Sequence, residues 1–191
     1  MKTIRPLLAL LLAAGLLNGC QSPKVSSPGA INISLRNNGY SLLHQLLDEQ
    51  KDVSLLRFIK SEPADVKQLV KRIAATSGTG AALLEKFAKA DPSIRLDDFR
   101  LPPGELATRA AIAATKQKEL LGQTGDTFEL SLLLTQTEAL SYGWHLAKIT
   151  GENEPQPGRA RALAGISEDM KNLYQEVFGL LLAKTKSAAT N

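Results

Sequence analysis

Cysteine is all but missing from this chain of 191 residues: Cys20 is the only one. A disulfide within one molecule is therefore excluded, and so is a metal site built from several thiolates. Histidine is nearly as scarce, with His44 and His145 alone, and no Glu-x-x-His pair occurs. That removes the ligand motif of a di-iron carboxylate bundle. Neither a Gly-x-Ser-x-Gly nucleophile turn nor a phosphate-cradling Gly-rich loop of the Walker type is present. Aromatic residues make up 5% of the chain, and its Lys and Arg are scattered among acids, with no Arg-rich arm or basic-aromatic interleaving. The formal charge of +4 includes Lys2 and Arg5, and without the first 19 residues it falls to +2. These features argue against a nucleic-acid partner.

What is present begins with a leader. Lys2 and Arg5 precede Leu7–Leu17, which is almost wholly Leu, Ala and Gly, and Gln21, Ser22, Pro23 and Lys24 follow Cys20. A spanning helix needs about 20 apolar residues, so this run is too short to cross a membrane. Its charged start, apolar middle and small residues match a cleaved signal peptide over 1–19. Leu17-Asn18-Gly19-Cys20 resembles the lipobox of bacterial lipoproteins, with Leu17, Gly19 and Cys20 in place and Asn18 departing from the usual residue. The resemblance implies that Cys20 is the lipid attachment site and the first mature residue. Each buried methylene of such an anchor contributes about 0.8 kcal/mol, so attachment to the membrane would be essentially permanent. Gln21 after the cysteine resembles the pattern sorted to the outer membrane, which places the domain in the periplasm.

Residues 20–38 read as lipidated cysteine and flexible tether, with a reach of roughly 20–25 Å. Ile31, Ile33 and Leu35 alternate with polar residues, which allows an extended arm. From 39 to 185 the apolar period is helical, and 186–191 form a polar tail. The spacing predicts helices over about 41–60, 63–90, 103–121, 126–150 and 159–184. Gly78 and Gly80 are candidate kinks in the second, and Thr124 or Asp126 a candidate cap for the fourth. Asp91–Pro103 reads as a loop anchored by Ile94, Leu96, Phe99 and Leu101. With no convincing strands, the fold class is all-α: an up-down helical bundle of four to five helices.

The fourth helix carries the most information. Between Thr127 and Ala147 its only formal charges are Glu129 and Glu138, with apolar residues on every side. Such a helix belongs in the centre of a bundle or under a homo-oligomer seam. Leu46–Val53 and Leu132–Ala139 share a Leu-Leu-x-x-Gln-x-acid pattern, placing Gln50 and Gln136 at matching positions of a faint duplication. Their amides can satisfy one another without a cation. The succession Lys116–Leu121, a Gly-rich turn, then Gly125, Phe128 and Glu129 resembles a ferritin-like family of bacterial outer-membrane proteins of unassigned function. That family also tends to have a His further along the helix, and Gln136–Leu140 has none. The resemblance covers about a third of the chain and implies an architecture rather than an activity.

Glu129 and Glu138 lie about 13.5 Å apart along the helix axis on opposite faces, and Glu138 and His145 differ by about 10 Å in height. Neither pair meets on one ion, so no metal or other cofactor is expected. Glu138, Tyr142 and His145 instead form a polar seam that would pair with Arg109 or Lys116 of a neighbouring helix. His44 and Asp48, four apart, read as a solvated pair. Two functional classes follow. One is a membrane-anchored envelope lipoprotein acting through protein contacts in structure, assembly or scaffolding, with no chemistry of its own. The other is a ferritin-like metal- or small-ligand-binding bundle using Gln50, Gln136, Glu138, Tyr142 and His145.

Overall fold

The structure, a computed structural model, describes residues 32–54 and 63–190. Cys20, the expected leader, most of the expected tether and the 55–60 end of the expected first helix lie outside the described residues. Five helices follow one another: α1 (Ile33–Lys51), α2 (Ala64–Ala90), α3 (Pro103–Gly122), α4 (Gly125–Glu152) and α5 (Pro157–Thr190), and no strand occurs among the described residues.

Prolines set three of the starts: Pro63 and Pro102 occupy N-cap positions and Pro157 opens α5. A ring that fixes φ and lacks an N–H costs nothing where the N–H has no helical acceptor. Gly125, with φ of +58°, makes the turn from α3 into α4, a left-handed conformation that glycine adopts without penalty. Thr124 stands at the N-cap of α4, but its side chain makes no capping bond.

Three boundaries differ from the sequence reading. Residues 33–38 are the first two turns of α1, not part of a tether or an extended arm. The reason is local: the Asn32 side chain accepts a hydrogen bond from the Leu35 N–H, and the Asn32 N–H donates to Asn153 Oδ1 at 2.9 Å. Capping overrides an alternation that Ile33 and Leu35, both half exposed, do not use for burial. At its other end α1 stops at Lys51, where Asp52 caps it. The tail expected from 186 is instead a continuation of α5 as far as Thr190.

Four helices form a closed ring: α1 packs on α2, α2 on α5, α5 on α4, and α4 on α1. Contacts between opposite ends make every neighbouring pair antiparallel. Tyr40 near the start of α1 reaches Glu154 just past the end of α4, and Arg72 early in α2 reaches Glu176 late in α5. The bundle is thus up-down, as the helical spacing predicts. Its core is a column of Leu43 and Leu47 from α1, Ile73 and Leu84 from α2, Leu140 from α4, and Leu163 and Met170 from α5. A second cluster of Val66, Val70, Leu120, Phe128 and Leu132 closes the far end.

Gly78 and Gly80 do not break α2. Gly80 instead lets Leu47 approach, since a Cβ there would lie 3.0 Å from Leu47 Cδ1. Gly39 and Gly143 serve α4 in the same way, against Thr150 and against Met170 and Leu46.

The helix α3 stands outside the ring. Its main contact is with α4, and Leu120 is its only buried side chain.

Candidate functional site

Three groups of polar side chains bear on function. The first is the seam between α3 and α4. Glu138, Tyr142 and His145 lie on one face of α4 at helical spacing, together with Leu134 and Ile149. Arg109 donates from Nη1 to the Tyr142 hydroxyl at 2.8 Å and its guanidinium sits 5.2 Å from the centre of that ring. Arg109 also binds Glu105 in its own helix. These two partners hold the guanidinium above its ordinary pKa, Tyr142 contributing most. Lys116 Nζ stands 3.6 Å from Glu138.

The pairing is therefore the one that spacing implies, with Arg109 and Lys116 as partners. His145 does not take part: its Nδ1 lies 2.7 Å from the Ser141 carbonyl oxygen and its ring stacks on Trp144. These groups sit at the surface and do not converge on an interior pocket.

Around the seam, apolar side chains remain open to water. Leu106, Ile112 and Leu121 of α3 and Leu134 and Ile149 of α4 are all more than 40% exposed. Leu106, Ala110, Ala113, Ala114 and Leu121 share one side of α3, beside the line of Arg109, Lys116 and Leu120 that meets α4. A shallow depression of about 490 Å³ lies on this helix between Ala114 and Leu121.

The second group is interior. Gln136 is 2% exposed, and its Oε1 is buried without a hydrogen-bond partner. Gln50 Oε1 is in the same state. The two amides thus do not satisfy one another, although α1 and α4 do pack side by side. Glu129, by contrast, is 6% exposed and paired with Lys184 of α5 at 2.7 Å. At the entry to α4, Gly125 makes the turn, Phe128 fills the second core cluster and Glu129 ties α4 to α5.

The third group escapes sequence reasoning. At the end where α1 and α5 begin, the Tyr40 hydroxyl donates to Glu154 Oε2 at 2.8 Å. Glu154 Oε1 accepts from Arg159 Nη2 and from the Gln156 N–H, both at 2.9 Å. Arg159 also reaches Asp91 at 3.0 Å, and Asp91 binds Ser93, which accepts from Arg36. Ser41 joins the same end, donating to the Arg95 carbonyl and accepting from the Asp98 N–H. This chain of bonds fastens the 91–102 loop and the α4–α5 connection onto α1, with Ile94 as its apolar anchor. Burial alone would raise the Glu154 carboxyl, but the bonds from Arg159, Gln156 and Tyr40 outweigh it and leave the pKa below the ordinary value. Tyr40 is pushed well above the tyrosine range, by burial first and then by Glu154. The partners are up to 114 positions apart, and no local spacing announces them.

An open groove of about 510 Å³ runs along α2 and α5 past Thr76, Asp169 and Asn172. Its charged pair is already satisfied, since Arg72 grips Glu176 through two bonds of 2.6 and 2.7 Å. No helix among the described residues is long and apolar enough to cross a membrane.

Fold and surface together define an all-α up-down bundle of four helices with a fifth packed on its outside. No known protein family, no curated protein and no solved structure matches this chain.

Proposed function

We propose that this chain is a lipid-anchored envelope protein, held by Cys20 in the outer membrane and facing the periplasm, whose helical domain works through contacts with another protein. The leader and Leu17–Cys20 support the anchor. The observation that carries the contact reading is α3, a helix of 20 residues that buries one side chain and turns Leu106 and Leu121 to water. Exposed apolar side chains on both helices of one seam are what a protein-binding face presents. The occupant that fits is an amphipathic helix of a partner, because the alanines between Leu106 and Leu121 allow close backbone approach.

Two experiments test this reading. Metabolic labelling with a fatty-acid analogue should mark the wild-type chain and leave Cys20→Ser unlabelled; equal labelling of both would overturn the anchor. A photo-crosslinking residue placed at Ala110 or Ala114 should trap one discrete partner that the same residue at Arg161, on α5, does not. Leu106→Glu with Leu121→Glu should abolish the product. Equal yields at all three positions, or a product made only of two copies of this chain, would refute the proposed occupant.

A further inference from the structure

His44 and Asp48 acquire in three dimensions a third companion, Glu85 of α2. His44 Nε2 lies 3.2 Å from Glu85 Oε1, and one donor atom each of His44, Asp48 and Glu85 lie within 4.8 Å of one another. It is the one such three-residue group among the described residues. We infer that His44, Asp48 and Glu85 form a zinc site with one open coordination position, bridging α1 and α2.

The geometry carries the inference. Tetrahedral zinc with bonds of about 2.0–2.1 Å holds neighbouring donors about 3.3 Å apart. The His44–Glu85 separation already matches that edge. Asp48 must close by about 1 Å or more to complete it, which its half-exposed side chain achieves by rotation. Two of the ligands are four residues apart on one face of α1, so the helix holds them side by side. The charges agree as well: two carboxylates and a neutral imidazole balance a divalent ion. Imidazole with oxygen donors suits zinc better than magnesium or calcium, which take oxygen alone.

Lys51 is the competitor. Its ammonium binds Asp48, three residues earlier, and stands in electrostatic reach of Asp52 and Glu85. A cation therefore already occupies the edge of this acidic corner, and zinc would displace it from Asp48. The open fourth position would hold water, or a side chain supplied by whatever meets this face.

The test is calorimetric titration of zinc into the untagged full-length chain in detergent micelles. Cobalt substitution provides a second readout through the visible bands of a four-coordinate site. One ion per chain is expected, with Cys20→Ser binding unchanged. His44→Ala and Glu85→Gln should each weaken binding about tenfold or more. Lys51→Ala should tighten it several-fold, a gain that unspecific surface binding would not show. His44, Glu85 and Lys51 are surface or near-surface positions, and unchanged helical circular dichroism verifies the fold. Three results overturn the site: no saturable uptake, binding that survives in both His44→Ala and Glu85→Gln, or a Lys51→Ala variant that binds no tighter.

Discussion

The bond from Tyr40 to Glu154 offers the sharpest quantitative test. Tyr40 is wholly buried, and so is the Glu154 side chain. Tyr40→Phe deletes one O–H donor and leaves a buried carboxylate oxygen that water does not reach. Hydrogen bonds to charged groups contribute about 1.5–3 kcal/mol, so a loss of about 2 kcal/mol is expected. For a domain of this size each kcal/mol moves Tm by about 2–4 °C, and melting should fall by about 4–8 °C. Glu154→Gln keeps an amide oxygen for Arg159 and the Gln156 N–H, turns its N–H2 group to the Tyr40 hydroxyl, and removes the principal counter-charge of Arg159. Breaking a buried pair costs about 3–5 kcal/mol, and Asp91, which still holds Arg159 at 3.0 Å, keeps the loss near the lower end. The double variant should lose less than the sum, by about 1 kcal/mol, because the tyrosine then faces a neutral amide. Strict additivity, or a Tyr40→Phe loss below about 0.5 kcal/mol, would refute the coupling.

The same pair sets a pH window. Glu154 has a lowered pKa in the fold, so its contribution is complete above the unfolded carboxyl value, about pH 4.3–4.5, and is lost as pH falls through the folded one. Tyr40 has a raised pKa, so its contribution is complete below about pH 10 and declines as pH rises beyond that. Urea titrations at a series of pH values should show the gap between wild type and Glu154→Gln closing on the acid side. A gap of constant size down to about pH 3 would contradict the assignment.

Gln136→Leu should stabilise the domain by about 1–3 kcal/mol in urea unfolding, because it removes a buried acceptor that has no partner; a loss of stability would mean that the amide is satisfied after all. Gly143→Ala should destabilise by about 1–3 kcal/mol, since the new methyl would meet Leu46 at 2.8 Å and the end of Met170. Gly165→Ala, on α5 with nothing near its added carbon, should instead gain up to about 1 kcal/mol. Leu120→Ala removes the one side chain by which α3 is buried; native-state amide exchange should then show α3 opening far ahead of the ring, and protection equal to that of α4 would refute its loose attachment.

How much of this could be read from the chain depended on distance along it. The starts of helices α2 to α5 were legible because prolines at 63, 102 and 157 and glycine at 125 mark them within one turn. The loop after α2 was legible through Ile94, an apolar residue amid charge. The start of α1 was not: its cap is an Asn whose role depends on Asn153, and the alternation of Ile33 and Leu35 pointed the other way. The α3–α4 seam was legible because a short turn forces antiparallel neighbours and leaves Arg109 and Lys116 as the cations within reach. The clamp of Tyr40, Glu154, Arg159 and Asp91 joins three segments remote in sequence, and the approach of Glu85 to His44 joins two, so no local spacing announces either.

Polar residues in an apolar helix must be paired or they cost free energy, and α4 answers that requirement differently on its two sides. Glu129 faces the ring and is neutralised by Lys184; Glu138 faces outwards and has Lys116 at longer range. Gln136 faces inwards with no partner, so this position carries a cost that packing elsewhere must offset. An amphipathic sheath over α4 would have needed only a polar outer face. The protein instead covers that face with α3 through two polar contacts and one leucine, and leaves apolar side chains of both helices uncovered. Were α3 merely a connection from α2 to α4, nothing would require Leu106, Ile112 and Leu121 on its surface. The proposed second layer of contact, made by another molecule, would account for their exposure and for the thinness of the α3–α4 interface together.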